Sequence, residues 1–165
     1  MPRISTDHAT ILDAVVKRIQ SQIPEFSGTS CAVSFKPEPA ANVDKNLFCT
    51  VAPTDGQFEL DNQIGGGAEN LVEQAGVAVT MFSAMKLDRS DVHESVLMEK
   101  SRGLLVLKKK LLKALVGHDL QTPNGDYILA NQMHALRASQ PGEDGAGRVF
   151  LQVTFSTDFG WDIGA

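Results

Sequence analysis

The segment Val149 to Ser156 constrains this chain most, because Val149, Leu151, Val153 and Phe155 alternate with Phe150, Gln152, Thr154 and Ser156. A period of two puts alternate residues on opposite faces of a strand, so the segment predicts a sheet buried on one face and partly wet on the other. Gly76 to Met85 repeats the pattern, with Val77, Val79 and Met81 on one face and Ala78, Thr80 and Phe82 on the other. Shorter strands are predicted at Ser30–Phe35, with Cys31, Val33 and Phe35 on one face, and at Leu47–Val51, with Leu47, Cys49 and Val51 inward. Lys36-Pro37-Glu38-Pro39 stops the first, since proline lacks the ladder donor. Pro53-Thr54-Asp55-Gly56 predicts a turn after the second.

Such a sheet needs a cover, and two helices can supply it. The first is predicted from Thr6 to Gln22, capped by Ser5, Thr6 or Asp7 and ended by Pro24. Ile11, Leu12, Val15, Val16, Ile19 and Ile23 form its apolar stripe, while Lys17, Arg18, Gln20 and Gln22 fall mostly on the other face. A mostly helical stretch is predicted from Ser90 or Asp91 to about Val116, with Leu104, Leu107, Leu111, Leu112 and Leu115 at helical spacing and Gly117 as its stop. Met133 to Arg137 reads as either a strand or a short helix, and Pro141 to Gly147 as a loop. The expected fold is therefore α+β: a mainly antiparallel sheet packed by an N-terminal and a central helix, in one domain spanning residues 1–165.

Between the patterned strands lies a softer stretch, Thr54 to Gly76. Phe58 to Leu60 reads as a short extended piece and Glu69 to Gln74 as one helical turn. Gly65-Gly66-Gly67 leaves the backbone few limits, so the whole segment is expected to be a mobile inter-strand loop, ordered when a partner holds it.

The chain's 165 residues suit one domain, and 42% hydrophobic with 21% charged residues is ordinary globular usage. A net charge of −5 argues against direct nucleic-acid binding by bulk electrostatics. No apolar run approaches the length of a membrane span, so no membrane partner is expected. Cys31 and Cys49 sit at alternating positions of their strands, as small buried thiols that could be neighbours across a sheet.

No catalytic, metal or cofactor motif emerges. After Gly65-Gly66-Gly67 comes Ala68-Glu69-Asn70, where a phosphate loop would need Gly-Lys-Ser/Thr. His8, His93, His118 and His134 are dispersed; His93-Glu94 lacks the second histidine of a zinc-protease motif, and His118-Asp119 alone defines no catalytic pair. There is no Gly-x-Ser-x-Gly elbow. Lys108-Lys109-Lys110, with Lys113, reads as a solvated helix face or as a contact with an acidic neighbouring subunit. Phe159, Trp161 and Ile163 alternate in the tail and either cap the domain's own core or dock on another chain.

The order of these elements resembles the tail terminator and tail-completion proteins of long-tailed bacteriophages. The likeness runs from the helix Ile11–Ile23 through the strands Cys31–Phe35 and Leu47–Val51 and the long loop. It continues through Val77–Met81, the helix Leu104–Val116 and the last strand Val149–Phe155. It implies a non-enzymatic structural protein of the virion, made in the host cytoplasm and placed at the head-proximal end of the tail. Its partners would be copies of itself in a ring, typically a hexamer, together with the tail tube protein and a head-completion or neck protein. The ring would end tube polymerisation and present the head-joining surface. Interface residues expected on this reading are Phe58, Leu60, Ile64, Gly65, Gly66, Gly67 and Leu71 in the loop, Lys108 and Lys109 on the central helix, and Phe159 and Trp161 in the tail. The alternatives are another head–tail connector, neck or baseplate component, and, from a different class, a small cytosolic enzyme or ligand-binding domain.

Overall fold

The computed structural model describes residues 3–4, 7–35, 46–60, 70–84, 92–122, 124–125, 127–128, 132–145 and 147–162. In chain order the elements are β1 (Arg3–Ile4), α1 (His8–Gln22), β2 (Cys31–Val33), β3 (Leu47–Leu60), β4 (Asn70–Ala84), α2 (Val92–Met98) and α3 (Leu104–Leu115). They are followed by β5 (Tyr127–Ile128), β6 (His134–Ala138), β7 (Gly142–Glu143) and β8 (Arg148–Asp162), with two short 3-10 turns, Pro24–Phe26 and Gly28–Ser30, before β2.

Six strands form the main sheet in the order β2-β3-β4-β8-β6, with β7 alongside β8, and a separate parallel pair joins β1 to β5. Every pairing in the main sheet is antiparallel except β2 with β3. This is the α+β fold that the alternation predicts. Val77, Val79 and Met81 of β4 and Leu151, Val153 and Phe155 of β8 are buried against Ile11, Val15 and Ile19 of α1 and Leu104, Leu107, Leu111 and Leu115 of α3. Arg18 ties the two helices, its Nε donating to the Ala114 carbonyl at 2.6 Å.

The other sheet face carries an aromatic cluster. Phe48 stacks on Phe82 with ring centroids 4.7 Å apart, Phe150 lies 6.0 Å from Phe82, and the Arg148 guanidinium sits 5.6 Å and 5.7 Å from the Phe48 and Phe82 rings. Asp144 fixes that guanidinium through an ion pair of 2.5 Å. Guanidinium over an aromatic face is favourable, and the carboxylate holds it in place.

Several boundaries differ from the sequence reading. The first helix begins at His8, with Asp7 as cap, since the Asp7 Oδ1 accepts from the Thr10 N–H at 2.7 Å. The central helical stretch divides into α2 and α3 at Gly103, where a Cβ would meet the Leu97 carbonyl and the Glu99 N–H at 2.6 Å. Gly117 does end α3, at a φ of 75° that favours glycine. Met133 to Arg137 resolves as the strand β6 from His134, and Gly142–Glu143 in the expected loop pairs with β8.

The inward alternation of the first short strand ends at Cys31. Val33 is 51% and Phe35 82% exposed, because β2 is three residues long and lies at the edge of the sheet. Cys31 and Cys49 are paired across β2 and β3, both buried and both free thiols.

The largest correction concerns the stretch 54–76. Its ends are not loop: β3 continues to Leu60, β4 starts at Asn70, and the ladder pairs Gln57–Leu60 with Leu71–Gln74. The expected turn at Pro53-Thr54-Asp55-Gly56 is instead a register shift between Thr54 and Gln57. Pro53 lies beyond the β2 pairing, where among the described residues β3 is an edge strand that tolerates proline. The helical turn proposed for Glu69 to Gln74 gives way, from Asn70 onward, to β4.

Candidate assembly surface

Past the register shift, β3, β4 and β8 run on together as a three-stranded arm. Thr54 pairs with Gly76, which pairs with Ser156; beyond them Phe58, Glu73 and Phe159 form one row and Leu60, Leu71 and Trp161 another. Directly opposed residues share a face of the sheet.

Glycine makes the bend possible. A Cβ on Gly76 would fall 1.8 Å from the Thr54 Oγ1 and 2.9 Å from the Asp55 carbonyl, so the two backbones approach too closely for any side chain there. A Cβ on Gly56 would meet the Gln74 carbonyl at 2.9 Å. The start of α1 braces the same spot: the His8 Nε2 donates to the Gly76 carbonyl at 3.0 Å, and its Nδ1 lies 3.8 Å from the Glu73 carboxylate. Glu73 is buried on the row that otherwise continues Ala75 and Val77. The sequence reading missed it, although an acid in phase with an apolar alternation was the available signal.

The expected interface residues divide accordingly. Phe58 is 58% exposed on the arm. Leu60, Leu71 and Trp161 lie in the arm's strands rather than in a loop or tail. Phe159 is buried in the core, the alternative that its alternation had left open. Lys109 is exposed and Lys108 half-buried on α3, while Lys110 is committed to an ion pair with Glu25 at 2.6 Å. Burial pushes the Glu25 carboxyl upward, yet the Lys110 hydrogen bond and charge outweigh it and hold the group below the usual carboxylate range. Ile64, Gly65, Gly66, Gly67 and Ile163 lie outside the described residues.

Among the described side chains, the histidines do not converge. The His118 ring bonds the Lys113 carbonyl at the end of α3, His8 braces the arm, and His134 is exposed on β6. A half-open groove of about 280 Å³ beside α2 is lined by Val96, Leu97, Pro141, Gly142, Glu143 and Val149, none of them a residue singled out for catalysis. Among the described residues no group of three or more His, Cys, Asp or Glu could hold a metal ion, and no helix is long and apolar enough to cross a membrane. The Cys49 thiol is pushed well above its usual range by burial and by Cys31 beside it, which makes it a poor nucleophile.

No known family and no curated protein matches the sequence. A solved structure does match the fold. It is a chain from the virion of a native gene transfer agent particle, at a TM-score of 0.54 and 18% identity, and the match covers 93% of this chain and 96% of that one. At that identity the likeness is one of fold.

Proposed function

We propose that this protein is a structural component of a virion that caps a tail tube as a ring, ends the tube's polymerisation and presents a surface for head joining. The observation that carries this reading is the shared fold with the virion chain over nearly the whole of both proteins. The order of elements agrees with it, since it resembles that of tail terminator proteins.

The mechanism is one of surfaces. Each subunit contributes two different faces, because a closed ring of identical subunits requires heterologous contacts. The arm supplies one contact through Phe58 and the rows containing Leu60, Leu71 and Trp161, with Ile64 and Gly65 to Gly67 between its strands in sequence. Lys108 and Lys109 on α3 meet an acidic neighbour. Phe159 takes no part, being spent in the protein's own core. A ring that complements the tube's last layer on one side only ends its growth there.

Electron microscopy of the particle tests the assignment. Density at the head-proximal end of the tail is expected, together with overlong tubes when the gene is deleted. Density in another connector, the neck or the baseplate would assign a different virion role, and absence from particles would overturn the reading altogether.

A further inference from the structure

Among the described residues the sheet has two dissimilar open edges. On one side β2 covers β3 only from Cys49 to Val51, and among the described residues no strand pairs the outer edge of β3 from Pro53 onward. On the other side β6 pairs with β8 alone among the described residues, and all five of its residues are exposed. Edges unpaired among the described residues are templates for another strand, with Pro53 and the register shifts in β3 and β6 limiting the length that can pair.

We propose that the β6 edge of one copy pairs with the β3 edge of the next, joining the sheets of neighbouring subunits. Three observations carry this. First, β3, β4, β8 and β6 are antiparallel in succession, so β3 and β6 run in opposite directions. A copy rotated about an axis along the strands therefore brings β6 against β3 as an ordinary antiparallel pair, and repeating that rotation builds a ring. Second, the charges are complementary: Asp55 is exposed on β3 and Arg137 on β6. Pairing of β3 with β3 brings two like acids together, and β6 with β6 two like cations, so the charges favour the mixed pairing over a two-fold dimer. Third, each edge carries an exposed large apolar side chain, Phe58 at 58% and Leu136 at 61%. Both edges carry a register shift at this point, between Thr54 and Gln57 in β3 and between Ala135 and Arg137 in β6, so pairing Arg137 with Asp55 brings the two irregular segments together with Leu136 and Phe58 alongside.

This deepens the ring reading above, but its test uses the purified full-length chain and stands apart from any virion. Sedimentation over a wide concentration range is expected to show association beyond the dimer. Asp55→Arg and Arg137→Asp should each weaken association by about tenfold or more, and the double variant should restore it. As a second measurement, a short thiol-reactive crosslinker should join a Phe58→Cys copy to a Leu136→Cys copy in preference to either like pair. A monomer at every concentration, association that stops at a dimer, single variants that associate like wild type, or a double variant no better than the singles would each overturn the pairing. Failure to find the protein in particles would leave the edge pairing intact and remove only its role as a cap.

Discussion

At the scale of single residues, position decides which polar groups stabilise the fold. Asp7 is exposed, yet its carboxylate accepts from the Thr10 N–H at the start of α1, and that hydrogen bond first of all holds its pKa below the usual carboxylate value. Asp7→Ala is expected to cost about 1 kcal/mol in denaturant unfolding near neutral pH. Because the folded pKa is depressed, the contribution is present above the unfolded value of about 3.9 and is lost as pH falls through the lower folded one. The variant and the wild type should therefore converge in acid. Lys110→Met makes a different prediction, since Glu25 retains only 16% side-chain exposure and its Oε2 has no hydrogen-bond partner among the described residues. Loss of the partly exposed lysine is expected to destabilise by on the order of 1 kcal/mol, and Glu25→Gln in the same chain should recover part of it. Melts of the single and double variants check this.

At the scale of elements, the register shift decides the course of the arm. Gly76→Ala sets a methyl against the Thr54 hydroxyl and the Asp55 carbonyl, and should cost about 1–3 kcal/mol. Removing the hydroxyl with Thr54→Gly is expected to relieve part of that cost, because the closest clash is with Oγ1. Hydrogen exchange gives an independent check: the ladder from Gln57 to Phe58 and from Glu73 to Gln74 should be protected in the free protein. Fast exchange there would return the segment to the loop that composition suggested. The reason that reading went astray is local. Pro53, Asp55 and Gly56 are turn formers by propensity, and only the partner strand converts them into an edge and a bulge. Where burial follows the element's own period, alternating in Val149 to Phe155 and one-sided along the helix from Ile11 to Ile19, the element and its inward face were legible. Glu73 and the edge residues Asp55 and Arg137 were not, because their significance depends on which strand lies beside them.

At the scale of the whole molecule, the sheet connects distant parts of the sequence through one strand. β8 lies between β4 and β6, and its residues Leu151, Val153, Phe155 and Phe159 are all buried in the core. A chain truncated before Arg148 is expected to lack a cooperative unfolding transition, since it loses an interior strand together with those four buried side chains. Calorimetry of that truncation against the full chain checks this. The same placement sets a timetable during synthesis. Until β8 leaves the ribosome, β4 offers an unsatisfied hydrogen-bonding flank, and β6 has nothing to line up against. The β6 edge and the arm's third strand thus become competent only after β8 is translated, whereas the β3 edge needs only β4, so half-made chains cannot offer both edges to an assembly.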